Sequence, residues 1–99
     1  MSLESQFHAA MVELWRRAKT EAGYNATRFL TMLAEHGGVE TARRLVTAST
    51  PSDGFTALWE KGRLDLTVEA LVLDPAYHDL FDEDLRQTAQ RRLDAYRSR

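Results

Sequence analysis

The 99-residue chain contains no cysteine, only two prolines and five glycines. Without cysteine there is no disulfide, no thiolate metal site and no cysteine nucleophile. A cysteine-free chain suits a reducing compartment, so a cytoplasmic location is expected. No opening basic-then-apolar stretch resembles a signal peptide, and no run approaches the roughly 18 apolar residues of a membrane span. The formal net charge of −2 supplies no general attraction to nucleic acid or anionic lipid. Serine-elbow, phosphate-loop and dinucleotide-binding glycine patterns are missing. His8, His36 and His78 lie far apart. The pairs His36/Glu40 and His78/Asp82 match neither a zinc helix motif nor a calcium loop. The expectation is a non-enzymatic protein with no cofactor and no metal.

What is present is helical periodicity. Leu3, Phe7, Met11, Leu14, Ala18 and Ala22 recur every three or four residues, which predicts an amphipathic helix from Ser2 to Ala22. Gly23 is placed to end it, and Asn25 to cap a second helix through its side-chain oxygen. That helix is expected to reach His36 and bury Phe29, Leu30 and Leu33. Gly37-Gly38 then breaks the chain before a third helix, Val39 to Ala48. The stretch Ser49 to Gly54, which holds Pro51, reads as a loop too short to link domains. Phe55, Leu58 and Trp59 mark a short helical face with all three in the core. Residues 63–70 alternate as a strand would, yet no other segment offers a strand partner, and a lone strand is unstable. A helix from Leu66 to Leu73 capped by Asp65 is therefore expected. Pro75 follows it, Ala76 to Phe81 forms one turn, and Asp82 caps a last helix carrying Leu85, Ala89, Leu93 and Tyr96. These elements predict an all-α, compact single-domain bundle of five or six helices spanning 1–99. Phe55 to Leu73 is expected to supply much of the core.

The charged residues of greatest interest sit among apolar ones. Glu69 is flanked by Leu66, Val68, Leu71, Val72 and Leu73, so its helix is expected to be largely buried. A buried carboxylate without a partner costs several kcal/mol or takes up a proton. Arg63 or Arg28 is the expected partner, giving a structural polar cluster of Arg28, Arg63, Asp65 and Glu69. Read functionally, Arg63, Asp65 and Glu69 mark a small-molecule pocket or hydrolase-like site.

Two further features bear on binding. Residues 29–46 read helix, glycine turn, helix, with Ala34 and Gly38 four apart, as a helix-turn-helix requires. Its second helix would present Glu40, Thr41, Arg43 and Arg44, and the two arginines could meet phosphates or guanine edges. Trp15, Tyr24, Trp59 and Tyr77 are aromatic anchors of the kind that dominate protein interfaces. Tyr24, in a turn, is the one expected to be partly exposed.

The phrases YNATRFL, GGVETARRL, GFTALWEKGRLDLTVEALVL and AYHDLF, between Tyr24 and about Leu93, resemble a small, uncharacterised bacterial helical domain family. That resemblance implies a recurring module, found alone or attached to larger bacterial proteins, and brings no catalytic residue. The leading expectation is an accessory or protein-interaction module that docks on a partner protein or self-associates, with Tyr24, Arg43 and Arg44 as binding residues. Helix-turn-helix binding to nucleic acid is the alternative. An interaction module is expected to carry an apolar surface patch beyond a few hundred Å2.

Overall fold

A computed structural model describes residues 1–99. It contains five α-helices and no strand: α1 Leu3–Ala22, α2 Thr27–Thr47, α3 Asp53–Glu60, α4 Val68–Val72 and α5 Glu83–Arg97. Two short 3-10 turns, Leu64–Leu66 and Pro75–Leu80, flank α4. The all-α bundle expected from periodicity is what forms.

The α1 stripe is buried as its spacing demands, with Phe7, Met11, Leu14 and Ala18 inside. The Ser2 hydroxyl accepts from the Ser5 amide at 3.0 Å at one end of α1, and Gly23 turns the chain at the other. The expected cap on α2 does not form. Ala26 occupies the cap position without a side-chain bond, and the Asn25 amide oxygen instead accepts from Trp15 Nε1 at 3.3 Å. A tertiary donor outcompetes the local one.

Gly37 breaks the helical backbone as expected, so that α2 is two helical segments meeting at a kink. Its backbone, at φ 79° and ψ 169°, lies in a region that essentially only glycine occupies. Buried Thr41 bridges the bend, its hydroxyl donating to the Met32 carbonyl at 3.0 Å. The next residue has a different job. A Cβ on Gly38 would stand 2.7 Å from the His8 Cα, so only glycine lets the second half of α2 cross α1 this closely. Ala34, the other small residue of the expected helix-turn-helix, is exposed. The tight crossing therefore joins residues 38–47 to α1, not the two halves of α2 to each other. Gly38→Ala is expected to destabilise the fold by about 1–2 kcal/mol, because overpacking against rigid main chain outweighs alanine's better helix propensity. Urea unfolding measures this, and a neutral or stabilising result contradicts the close crossing.

Residues 63–70 are helical, but in two pieces. Thr67, with extended backbone, separates the 3-10 turn from α4, accepting from the Ala70 amide at 3.3 Å and donating to the Leu64 carbonyl at 2.7 Å. Thr67 therefore caps α4, in place of Asp65, and the helix is shorter than the expected Leu66–Leu73. Asp82 caps α5 as expected, accepting from the Leu85 amide at 2.9 Å.

All the buried apolar side chains but Phe55 and Leu93 form one continuous cluster drawn from every helix. At one end Phe7 meets Tyr77 and Phe81 edge-on, each with ring centroids 5.1 Å away. At the other end Phe55 and Trp59 both pack edge-on against Tyr96. Phe55 and Leu58 are buried, whereas Trp59 is only half-buried because its Nε1 reaches out to the Tyr96 carbonyl at 3.0 Å. Short α4 packs against α1, α2 and α5, which places Glu69 in the interior.

Candidate functional site

Where α1 ends, α2 starts and α3 starts, the helices leave a groove of about 400 Å3. Its walls follow from the turns already described. Gly23 reverses the chain so that Trp15 and Ala18 of α1 face Tyr24, Phe29 and Met32. Residues 50–54, which lead into the first turn of α3, form the opposite wall, and there Gly54 lies beside the Tyr24 ring, 3.5 Å from where a Cβ would stand. Phe55 and Leu58 continue that wall, and residues 66–69 line the groove as well. Trp15, Tyr24 and Phe29 are half-buried, each with part of its ring unused by the core.

Met1 and Val12 are the only large hydrophobics well exposed. Many of the others, such as Leu30, Val39, Leu71 and Leu80, are only part-exposed.

Glu69 is the one buried ionisable acid, with 2 % of its surface exposed. Neither Arg63 nor Arg28 is its partner. Arg92 of α5 donates from Nη1 to Glu69 Oε2 at 2.9 Å and to the Leu45 carbonyl at 3.1 Å. From Nη2 it donates to the Ala48 carbonyl at 2.7 Å. One guanidinium thus neutralises the interior carboxylate and also caps the last turn of α2. Burial pushes the Glu69 carboxyl above its ordinary value, and the bond from Arg92 opposes that rise without cancelling it.

The expected polar cluster is divided among three places. Arg63 lies on the surface, donating as a fork to both Asp65 oxygens at 3.0 and 3.1 Å and reaching back to Glu21 of α1 at 2.8 Å. This ties the turn after α3 to the end of α1. Arg17 and Arg63 together pull the Glu21 carboxyl down to about 2, and Arg63 lowers Asp65 as well. Arg28 stands exposed at the groove rim and makes no ion pair. The small-molecule pocket read into Arg63, Asp65 and Glu69 is therefore not assembled, although Glu69 alone does border a groove.

Arg43 and Arg44 lie outside the groove and share one counter-ion, Glu40, at 3.8 and 3.1 Å. Both side chains are about half exposed. Thr41, expected beside them on the presented face, is fully buried. No three ligating side chains converge on a metal position.

Sequence reasoning missed Arg92. A signal was available, since Arg92 lies three residues after Ala89 and seven after Leu85, on the flank of the stripe that α5 buries. The groove itself left no such signal, because its lining comes from segments up to some fifty residues apart. Compared with known proteins, the chain matches no family model, no curated protein and no solved structure. No helix is long and apolar enough to cross a membrane.

Proposed function

We propose that this chain is a non-enzymatic accessory module, cytoplasmic and of bacterial type, that docks on a partner protein through the groove between α1, α2 and α3. One observation carries the reading. Three half-buried aromatic rings, Trp15, Tyr24 and Phe29, edge one mainly apolar concavity. Concave sites of this size, about 300–1,000 Å3, are where proteins take up apolar groups, and large aromatics are the usual anchors of interfaces. Tyr24 keeps the binding role expected of it.

Arg43 and Arg44 support the alternative, nucleic-acid binding, less well. Glu40 lies between them, so each phosphate contact has to displace an existing ion pair and approach a carboxylate.

Affinity capture from native lysate with nuclease present, using wild type and Ala48→Trp, tests the module. Ala48 is exposed on the groove wall, so the substitution fills the groove without touching the core. A stoichiometric partner held by wild type and lost from Ala48→Trp is the expected result. Capture indifferent to Ala48→Trp counts against the groove. Nucleic acid copurifying without nuclease, and lost when Arg43 and Arg44 become alanine, favours the alternative.

A further inference from the structure

The five residues between α2 and α3, Ala48 to Ser52, run along one edge of the groove, and all but Ser49 help to line it. Little holds the middle of this segment. Each end is fixed by its own helix. Thr47 donates to the Arg43 carbonyl inside α2, and Ser52 caps α3 by accepting from the Phe55 amide. Residues 48–51 make no main-chain hydrogen bond. None of them belongs to the hydrophobic cluster or to the part-buried residues packed against it.

The one tie is a guanidinium. Arg92 Nη2 donates to the Ala48 carbonyl at 2.7 Å, the only side-chain hydrogen bond that reaches residues 48–51. Glu69, at 2.9 Å, holds the same guanidinium inward, with the Arg92 side chain only 10 % exposed. The charge on Glu69 therefore keeps in place the group that fastens the segment to α5.

Neutralising Glu69 undoes this arrangement. A guanidinium cannot shed its proton, and a buried cation without its counter-ion is strongly penalised. Arg92 has a short way to go, because Ala48 already lies at the surface and a long arginine stem lets the head group reach water. When the head group leaves, its bonds to the Leu45 and Ala48 carbonyls go with it. No other charge takes its place. The side chains that α1, α2, α5 and the turn Leu64–Leu66 bury around α4 are uncharged, and Arg92 is the only charged group acting on the Glu69 carboxyl. Burial moves that carboxyl above the ordinary glutamate value against the pull of Arg92, so it takes up its proton at milder acidity than an exposed glutamate.

We propose that residues 48–51 are a strap along the groove edge, latched by Arg92 and released when Glu69 takes up a proton. The latch consists of hydrogen bonds within the chain, so it stands apart from the docking reading above.

Backbone 15N relaxation and arginine side-chain NMR test this on the intact chain, from neutral pH down to 4.5, the ordinary glutamate value. The order parameters of Ala48, Ser49 and Thr50 are expected to fall from about 0.85, as in rigid backbone, to below about 0.6. The protected guanidinium proton signals of Arg92 should be lost in the same range, while α1 stays rigid. Asp53→Asn, which removes the exposed acid next to the strap, should leave the transition in place. Glu69→Gln should free the strap already at neutral pH and abolish the pH dependence; if that variant does not fold, the wild-type titration decides alone. Residues 48–50 mobile at neutral pH, or equally ordered at both ends of the range, overturn the latch. Order lost along α1 as well overturns a local release. A transition abolished by Asp53→Asn, or a strap still ordered in folded Glu69→Gln, overturns Glu69 as the trigger.

Discussion

Arg92→Ala is expected to destabilise the protein by about 3–5 kcal/mol, the range for leaving one member of a buried ion pair unpaired. The reasons are local and additive in kind. The substitution strands the Glu69 carboxylate, 2 % exposed, without its cation. It also removes the donor to the Leu45 and Ala48 carbonyls, unfastening the end of α2 from α5. A domain of this size has a total stability of about 5–15 kcal/mol, so the variant should be marginal at room temperature.

The penalty should depend on pH, and its sign follows from the direction of the Glu69 shift. Burial raises this carboxyl above 4.5, and Arg92 opposes the rise, so in Arg92→Ala it sits higher still. A group whose native value exceeds its unfolded value binds its proton more tightly when folded. Stability therefore falls as pH climbs from 4.5 through the raised value. The deficit of Arg92→Ala relative to wild type should be smallest near pH 4.5, where Glu69 accepts a proton, and larger at pH 7. Glu21 and Asp65, lowered by their arginines, contribute the opposite slope at acid pH in both proteins and cancel from the difference. Urea titrations of both proteins across this range decide the matter. A deficit under about 1 kcal/mol, or one flat in pH, would mean that the pair is not buried as described.

Phe7→Ala is the second large effect, about 3–5 kcal/mol for a fully buried aromatic. Phe7 is completely enclosed and makes edge-on contacts with both Tyr77 and Phe81. Those two rings belong to the 3-10 turn Pro75–Leu80 and the residue after it, a segment with no fully buried residue of its own before Phe81. Truncating Phe7 thus opens a cavity and also removes what holds that segment to α1. Hydrogen exchange should accelerate first at residues 75–81, before global unfolding. Loss confined to α1, with 75–81 still protected, would show that the turn is anchored some other way.

Much of the architecture was written locally. The α1 stripe, the Gly23 stop, the Asp82 cap and the Gly37 break depend on neighbours three or four residues away, and the pattern of residue types is enough to announce them. The sequence alone also determined that Glu69 had to be buried and had to have a cation, because a short, nearly all-apolar helix has no solvent face to spare.

Which cation it found was decided only by tertiary structure. Arg63 was nearer along the chain, but Asp65 and Glu21 offered it two carboxylates at the surface with little loss of hydration. Arg92, twenty-three residues away, was carried to Glu69 by the packing of α5 on α4. The same holds for Asn25, taken from its expected cap by Trp15 ten residues earlier, and for Gly38, whose purpose is the main chain of α1 thirty residues before it. The groove is of this kind throughout. Periodicity shows which side chains leave water, but a concavity is made by the spaces between helices, and those spaces depend on crossing distances that only glycine, ring and guanidinium placements across the fold can set.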